Sequence, residues 1–418
     1  MTKQLECDAA IVGGGMAGLA TALSLEAAGL SVAIVDALPV EVRGDEAFDG
    51  RASAIAYTSW RMFTVLGVAD RLEGEAQRIE QILVTDGRAP DGLRPGGPSP
   101  LFLRFDHAEI NGEGGEPLGY MVENRHLRRA MTETLQARGN ITARAPAKVV
   151  DVARDANGAV ITLDDGGTIS APLIVAADGR NSFMRKSAGI RAHGWSYNQS
   201  AVVATAEIER GHDGVAHEYF LPAGPFAMLP LTGDRFSLVW TEKPRAAKAL
   251  MELGEPQFTE EMQRRFGDFA GTVKPAGPRW SYPLGVQVAE EYCAERLALV
   301  GDSAHAIHPI AGQGFNMGLR DAAALADVLG EARRAGLDIG DLTPLRRYER
   351  WRKFDNVTLS VATDGFNRLF GNDIGLVRKI RDMGMALTGK IGPARRFFAR
   401  HAGGDTGERP RLMQGLTP

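Results

Sequence analysis

Three short stretches of this chain place glycines and aspartates where a phosphate-containing ligand could bind. The first is Gly13-x-Gly15-x-x-Gly18, which follows an apolar run at residues 9–12 and precedes residues that favour a helix. Such a turn lets the backbone approach a pyrophosphate, and the amides of the following helix face the phosphates. Asp36 ends a second predicted strand, where an acid can bind a ribose hydroxyl. The motif predicts dinucleotide binding and leaves both NAD and FAD open.

The other two stretches are aspartates at the ends of further predicted strands. Asp178 and Gly179 follow the apolar run 174–177, and Asp302 follows the run 297–300. In open α/β sheets, ligands bind beyond the carboxyl ends of the strands, so we expect these residues to meet Gly13 at one crevice. Asp302 could accept hydrogen bonds from the ribityl hydroxyls of FAD. The alternative is an ordinary turn or N-cap aspartate.

A glycine-rich helix start follows Asp302. The first amides of a helix beginning near Gly314, those of Gly314, Phe315 and Asn316, lack intrahelical acceptors and carry the positive end of the helix dipole. They could hold the negative charge of a reduced flavin. The alternative is a plain loop. His305 and His308 lack a nearby acid in helical register, so we expect packing or hydrogen-bonding roles for them rather than metal binding.

Composition limits the remaining possibilities. The 418 residues suggest two or three domains, and 44% hydrophobic and 24% charged residues are ordinary for a globular protein. A net charge of −4 argues against a nucleic-acid partner. The two cysteines fit neither a disulfide framework nor a metal cluster, and a reducing compartment is favoured. Without an apolar signal-peptide core or a membrane-spanning run, we expect a cytoplasmic protein.

The middle of the chain, residues 197–285, alternates apolar and polar residues as strands do. It predicts an antiparallel sheet, which would cover the flavin if the dinucleotide is FAD. Candidate walls of a substrate pocket are its large apolar residues, although such a residue more often belongs to the core: Tyr219, Phe220, Leu221, Phe226, Met228 and Trp240.

Taken together, the three motifs resemble those of the class A flavoprotein monooxygenases, which have the para-hydroxybenzoate hydroxylase fold. The matching stretches are the glycine turn, "AADGRNSFMR" and "GDSAHAIHPIAGQGFNMGLRDAAAL". Residues 49–68, 118–131 and 348–370 most resemble the ubiquinone-biosynthesis hydroxylases within that class. The resemblance implies an α/β fold: a Rossmann-like FAD-binding domain of the GR2 type, an interleaved antiparallel-sheet substrate domain and a helical C-terminus.

The resemblance also implies roles for individual residues. The ADP half of FAD would be bound by Gly13, Gly15, Ala17, Gly18 and Asp36. Arg51 and Arg125 would lie near its phosphates and ribose, although Arg51 could be a surface salt-bridge partner and Arg125 could simply begin a helix. Asp178 and Gly179 belong to a motif linked to FAD and NAD(P)H, and Asp302 would bind the ribityl chain. No side chain is a certain catalytic group; the flavin ring would be flanked by Pro309, Gly312, Gln313, Gly314, Phe315, Asn316 and Met317.

In the reaction that the resemblance implies, the bound FAD would carry out the redox chemistry. NADPH or NADH would reduce FAD transiently, molecular oxygen would form a C4a-hydroperoxyflavin, and its distal oxygen would pass to the ring of a polyprenylated phenol. An apolar pocket would suit such a substrate. Three further functions stay open: a hydroxylase of a small soluble aromatic acid, a non-catalytic flavin-binding accessory protein, and a flavin reductase of prenyl double bonds.

The expected organisation is discontinuous. The FAD-binding domain would take residues 1–80, 118–196 and 286–340, and the substrate domain residues 81–117 and 197–285. A helical segment over 341–401 and a flexible tail over 402–418 would follow. Basic and apolar residues interleave in 366–401. This pattern favours docking either on the anionic surface of the inner membrane or on partner enzymes of ubiquinone biosynthesis. The alternative is a solvated basic face on a packed helix.

Overall fold

The computed structural model describes residues 4–39, 50–87, 102–112, 114–308, 312–370, 403–405 and 407–418. Within them, the chain forms a largely parallel sheet covered by helices, a large sheet, and two smaller sheets. The helices are Met16–Ala27, Tyr57–Leu66, Ala108–Asn111, Asn124–Gln136, Phe183–Ser187, Pro244–Glu252, Glu255–Phe266, Gln313–Arg334 and Leu342–Phe370, with 3₁₀ turns at Ala69–Leu72, Gly301–Ser303 and Arg411–Gln414.

The parallel sheet carries the strand ends that the sequence singled out. Its strands lie in the order Cys293–Ala294, Leu297–Leu299, Leu173–Ala176, Ala9–Val12, Val32–Val35 and Ile141–Arg144, and only the first pair is antiparallel. The strands Ala9–Val12, Leu173–Ala176 and Leu297–Leu299 are buried along their whole length. Continuous apolar runs are required there because the sheet is covered by packed elements, which include the helix Met16–Ala27 and the strands Gly158–Leu163 and Thr168–Ala171 of a smaller sheet. The predicted Rossmann-like α/β unit is confirmed.

Two smaller sheets flank this unit. One has the strand order Gln4–Glu6, Thr168–Ala171, Gly158–Leu163 and Val149–Asp155. The other has the order Ala52–Ala56, Gly119–Glu123 and Gln77–Ile79. The strand Ala52–Ala56 of the second sheet contacts the helix Gln313–Arg334 and therefore borders the strand-end crevice.

The large sheet is built mainly from the middle of the chain. Its order is His305–Ala306, Trp280–Ala289, Ala192–Ile208, Arg235–Glu242, Gly224–Leu231, Val215–Leu221, Gln81–Thr85 and Phe102–Asp106, and Val273–Pro275 pairs with Ala192–Ile208. We call the face that packs under the helices Pro244–Glu252 and Glu255–Phe266 the outer face. The opposite face, called here the inner face, packs against Ala52 and Ala54.

The pocket-wall prediction was wrong for five of its six residues. Tyr219, Leu221, Phe226, Met228 and Trp240 lie on the outer face, in one core cluster with Phe258 and Phe266 of the covering helices. Phe220 alone points to the inner face, where it packs against Val84. The alternation was read correctly, but the sequence interpretation missed the two helices and so assigned the apolar face to the ligand.

The end of the chain also differs from the expectation of a flexible tail. Of the described residues beyond 402, Leu412 and Met413 are fully buried in the main core. The Arg411 amide donates to Asp327 at 2.8 Å, and the Thr58 hydroxyl donates to the Gly403 carbonyl at 2.9 Å. The tail therefore docks on the helices Gln313–Arg334 and Tyr57–Leu66. The interpretation from sequence expected a chain end to fray and overlooked the apolar pair.

The basic segment lies largely outside the described residues, which resume at 403 after Phe370. The long helix predicted before it is present as Leu342–Phe370. None of the helices in the described part of the chain is long and apolar enough to cross a membrane.

Candidate FAD site

The glycine turn has the close approaches that its motif requires. Gly13 has φ 110°, and a Cβ there would lie 2.3 Å from the Ala177 carbonyl oxygen. A Cβ on Gly18 would lie 1.9 Å from the Gly13 carbonyl oxygen, so the helix Met16–Ala27 can pack on the strand only with glycine there. Around Gly15, by contrast, nothing lies within 4 Å of the Cβ position. That open space is where a pyrophosphate would approach the backbone.

Asp36 lies beside this turn, at the end of the strand Val32–Val35. Its carboxylate accepts hydrogen bonds from the Gly14 amide and, at 2.7 Å, from the Leu38 amide. The side chain is buried, which fixes its orientation toward the glycine turn. Its contact with a ribose hydroxyl stays a prediction.

The three strand ends converge, as the sequence predicted. The strand Leu173–Ala176 pairs with both Ala9–Val12 and Leu297–Leu299, so Gly13, Asp178 and Asp302 follow neighbouring parallel strands. Ala17 joins them: a Cβ on Gly301 would lie 3.1 Å from the Ala17 Cβ. The helix that follows the glycine turn thus abuts the Asp302 turn.

Asp178 is used by its own loop. Its carboxylate accepts from the Ser182 hydroxyl and, at 3.1 Å, from the Met184 amide, while the Gly179 carbonyl accepts from the Ser182 amide at 2.9 Å. This arrangement fixes the start of the helix Phe183–Ser187. Its direct contact with FAD or NAD(P)H stays a prediction.

Buried Arg185 connects this loop to the next one. It donates to the Arg180 carbonyl at 2.8 Å and to the Ser303 carbonyl at 2.7 Å. Burial lowers the pKa of Arg185. The sequence interpretation gave Arg185 no role, because a basic residue in a strand–turn–helix segment gives no signal of such a carbonyl partner.

Asp302 differs from the other two aspartates of the site. It lies within the turn Gly301–Ser303, where its side chain is exposed. No side-chain or backbone donor among the described residues bonds its carboxylate, so it is available to ligand hydroxyls. It does not cap the turn, whose N-cap position is taken by Val300.

The long helix that follows begins at Gln313, with Gly312 at its N-cap and no side chain capping it. Gly312 has φ 63°, and a Cβ there would lie 3.1 Å from the Ala54 Cβ. Space is open around the Cβ position of Gly314. The first-turn amides, including those of Gly314 and Phe315, have no intrahelical acceptor, so this end can bind negative charge.

Asn316 braces that helix start with its side chain. The amide nitrogen donates to the Ala54 carbonyl at 2.7 Å, and the amide oxygen accepts from the Ala56 amide at 2.9 Å. Met317 is buried one residue later, and Phe315 packs against the main core. The sequence interpretation considered only the backbone of Asn316. Pro309 lies outside the described residues.

The two predicted arginines lie at the same end of the antiparallel strand pair Ala52–Ala56 and Gly119–Glu123. Arg51 directly precedes the first strand, and Arg125 follows the second. The Arg51 guanidinium carbon lies 5.0 Å from the Tyr282 ring centre, and the Arg51 carbonyl accepts from the Asn124 amide at 2.9 Å. Arg125, in the first turn of the helix Asn124–Gln136, donates to Glu123 at 3.1 Å. Their contacts with FAD phosphates remain a prediction.

A buried ionic network supports the Asp302 turn from behind. Asp321 accepts from the Gly301 amide at 3.1 Å, from His305 at 2.5 Å and from Arg352 at 2.9 Å. Burial raises the pKa of Asp321, but His305 and Arg352 outweigh it and lower that pKa to about 2. His305 thus has the hydrogen-bonding role that was expected.

Among the described residues, no group of three or more histidines, cysteines and acids could hold a metal ion.

The site therefore fits an extended dinucleotide with a flavin at one end. A pyrophosphate would lie in the open space at Gly15, and a ribose beside the fixed carboxylate of Asp36. A ribityl chain would then reach the exposed Asp302, and a flavin ring the uncapped start of Gln313–Arg334. Glycine turns, carboxylates and uncapped helix starts are groups that commonly bind the phosphates and hydroxyls of dinucleotides.

Comparison with known proteins agrees with this geometry. A family model described as an FAD binding domain matches residues 6–344. The chain is 46% identical over 412 residues to the ubiquinone hydroxylase UbiL of Rhodospirillum rubrum, covering 98% of this chain and 93% of the relative. It is 34% identical to the 3-demethoxyubiquinol 3-hydroxylase of Escherichia coli, covering 96% of this chain and 99% of the relative.

Solved structures share the fold. The p-nitrophenol 4-monooxygenase PnpA of Pseudomonas putida superposes with a TM-score of 0.79, covering 97% of this chain and all of its own, at 19% identity. At this identity, the similarity supports the architecture and carries no information about the substrate.

Proposed function

Because this chain belongs to the FAD binding domain family, we propose that it is an FAD-dependent monooxygenase of ubiquinone biosynthesis that hydroxylates the aromatic ring of a polyprenylated phenol. One observation carries the proposal: the 46% identity to a ubiquinone hydroxylase extends over 412 residues. It therefore includes the large sheet that faces the site as well as the crevice that would bind FAD.

Bound FAD would supply the redox chemistry, taking electrons from NADPH or NADH and activating molecular oxygen for insertion into the ring. The residues of this chain would bind and orient it. Asp36 and the glycine turn would hold the ADP half, and Asp302 the ribityl hydroxyls. The uncapped start of Gln313–Arg334 would stabilise negative charge on the reduced ring.

The inner face of the large sheet would exclude water from the reacting ring. Its cluster of apolar side chains includes Leu103, Ala216 and Leu231, packed against Ala52 and Ala54. Exclusion matters because water diverts activated oxygen to hydrogen peroxide before it reaches the substrate. An apolar wall also suits a ring with a prenyl tail.

The test is reduction of the purified, FAD-loaded protein by NADPH and by NADH without oxygen, in a stopped-flow instrument. The reduced protein is then mixed with oxygen and a phenol that carries a short prenyl chain. We expect one hydroxylated product by mass spectrometry and faster NAD(P)H oxidation when the phenol is present. Bound FAD that NAD(P)H cannot reduce would instead favour a non-catalytic accessory protein.

The same assay distinguishes the proposed activity from two related ones. Turnover of 4-hydroxybenzoate in preference to the prenylated phenol would favour a hydroxylase of small soluble acids. Reduction of a prenyl double bond without oxygen would favour a reductase. The phenol product also identifies the ring position that is hydroxylated.

We also propose, from the sequence of residues 366–401, that the basic and apolar residues there bring the enzyme to an anionic membrane surface or to partner enzymes. Flotation with vesicles that contain anionic lipid tests the first possibility. Full-length protein should float with them, and a variant lacking residues 371–401 should not; equal flotation would contradict membrane docking.

A further inference from the structure

One carboxylic acid lies in the apolar inner face of the large sheet. Glu218 belongs to the strand Val215–Leu221 and alternates with Tyr219 and His217, which lie on the outer face. Its cross-strand partners are Val84 on one side and Ala227 on the other. The next residues along the same face are Ala216 and Phe220. Its immediate neighbours are therefore all apolar.

The Glu218 carboxyl has no partner among the described residues. No donor bonds it, and no charged side chain shifts its pKa; burial alone raises that pKa to about 7. The residue is nevertheless half-buried rather than enclosed. A carboxyl that is partly dehydrated and yet not fully covered can still be reached by a ligand.

The inner face looks toward the candidate flavin site. Ala216, beside Glu218, belongs to the cluster that packs on Ala54, and Ala54 touches the Gly312 position at the start of the long helix. Farther along the same face, Arg51 lies over the Tyr282 ring. Glu218 thus lies on the sheet face that is turned toward the uncapped start of the helix Gln313–Arg334. The strand Ala52–Ala56 lies between that helix start and Ala216, the neighbour of Glu218.

A second polar group on this face is also unsatisfied. The Thr241 hydroxyl is buried and has no hydrogen-bond partner among the described residues. Trp240, its neighbour in the strand, points to the outer face, so alternation places Thr241 on the inner face. A buried polar group without a partner costs free energy, which a hydrogen bond to a ligand or to an ordered water would recover.

We propose that Glu218 binds the ring hydroxyl of the phenolic substrate, and that it selects a neutral phenol over an aromatic carboxylate. The inference rests on the proposed function, since it names the contact that would orient the hydroxylated ring. As a carboxylate, Glu218 accepts a hydrogen bond from the phenol hydroxyl, which also enriches the ring in electrons. The apolar neighbours take the ring itself.

The same group works against an acidic substrate. An anionic carboxylate on the ring would meet the negative charge of Glu218 in surroundings that screen charge poorly. Among the described inner-face neighbours of Glu218, no arginine or lysine offsets this repulsion. The contact therefore separates a prenylated phenol from a small aromatic acid.

Two variants test the contact, Glu218→Leu and Glu218→Gln, with Glu207→Leu as the control. Glu207 is an exposed acid of the same sheet. For each protein, FAD affinity is measured by flavin fluorescence, and the melting temperature by circular dichroism. The kcat and KM of NADPH oxidation are measured with a phenol carrying a short prenyl chain and with 4-hydroxybenzoate.

We expect Glu218→Leu to raise the KM for the prenylated phenol about tenfold or more, the loss of one charge-assisted hydrogen bond. FAD affinity should stay within twofold, and the melting temperature should stay equal or rise because an unpaired buried acid is removed. Glu218→Gln, which retains an acceptor, should recover most of the loss. The ratio of phenol to acid turnover should fall in Glu218→Leu and stay unchanged in Glu207→Leu.

A KM for Glu218→Leu within twofold of the wild type, in an enzyme that hydroxylates the phenol, would overturn this inference and leave the proposed function intact. A loss that follows weakened FAD binding would also overturn it. If the wild-type protein binds the phenol without turnover, the proposed function fails, and the binding affinities of the variants still decide the contact. A wild-type protein that does not bind the phenol overturns both.

Discussion

At the scale of single residues, the three aspartates of the strand-end crevice are not equivalent. Asp36 bonds two backbone amides, and Asp178 holds a hydroxyl and an amide of its own loop. Asp302 is exposed, and no donor among the described residues bonds it. Removing a group that makes no bonds in the protein costs little stability, so Asp302 is the position at which ligand binding can be tested apart from folding.

We therefore expect Asp302→Ala to lower FAD affinity by roughly ten- to a hundredfold, since a hydrogen bond to a charged group contributes about 1.5–3 kcal/mol. The melting temperature of the FAD-free protein should stay within about 2 °C. Fluorescence titration of FAD and thermal melts measure the two effects. Asp234→Ala, at an exposed turn of the large sheet, is the control. A variant with normal FAD affinity but a lowered melting temperature would mean that Asp302 is an ordinary turn residue.

At the scale of secondary-structure elements, the glycine turn combines two different requirements. Gly18 is needed by the protein itself, since a Cβ would lie 1.9 Å from a backbone oxygen. Gly15 is needed only by a ligand, since its Cβ position is open and its φ of −69° suits any residue. The two glycines should respond differently to the same substitution.

We expect Gly18→Ala to displace the helix Met16–Ala27, destabilise the FAD-free protein by about 2 kcal/mol or more and abolish FAD binding. Gly15→Ala should leave the stability of the FAD-free protein unchanged or slightly higher and still weaken FAD binding at least tenfold. Urea unfolding of the FAD-free proteins and FAD titration give the four values. Normal FAD binding by Gly15→Ala would place the pyrophosphate elsewhere.

The Asp321 network connects the Asp302 turn with the helices Gln313–Arg334 and Leu342–Phe370. Its loss should therefore lower the stability of the whole protein. Asp321→Asn leaves Arg352 and His305 buried without their anion, so we expect about 3–5 kcal/mol lower stability at pH 7. The folded pKa of Asp321, about 2, lies below the ordinary 3.8. Its stabilisation is therefore complete above about pH 4 and is lost as pH falls toward 2.

Urea unfolding at pH 7, 4 and 3 measures this dependence, and the difference between wild type and Asp321→Asn should shrink over that interval. Asp355→Asn is a matched control, because Asp355 bonds the same Arg352 at 2.8 Å but keeps 28% of its side chain exposed. It should cost less than about 1 kcal/mol. Equal losses in the two variants would contradict a special role for the buried anion.

Some contacts between elements could be predicted from the sequence, and others could not. The strand ends at Gly13, Asp178 and Asp302 were predictable because buried parallel strands are continuous apolar runs and their glycines and acids follow at once. The partners of Arg185 and Asp321 were not, since they are up to 118 residues away along the chain. Alternation identified the large sheet but could not show that two helices cover one face and leave the other toward the crevice. Glu218 was missed for that reason, although a lone acid in such a strand was a visible signal.

At the scale of the whole molecule, the end of the chain closes the core around the candidate FAD site. The turn Arg411–Gln414 contacts the helix Gln313–Arg334, whose start would hold the flavin, and the helix Tyr57–Leu66, which follows the strand Ala52–Ala56. Both elements border the crevice. The tail therefore packs on both helices at once and can fix their positions relative to one another.

We expect Leu412→Ala to lower the stability of the protein by about 2–5 kcal/mol, since Leu412 is fully buried in the main core and its loss leaves a cavity. Because the tail holds two elements of the site, the purified variant should also retain less FAD than the wild type after gel filtration. Leu416→Ala, in the same tail but 48% exposed, is the control and should change stability by less than about 0.5 kcal/mol. Urea unfolding and the ratio of flavin to protein absorbance measure both effects. Leu412→Ala and Leu416→Ala proteins that unfold at the same urea concentration would mean that the tail does not contribute to the core in solution.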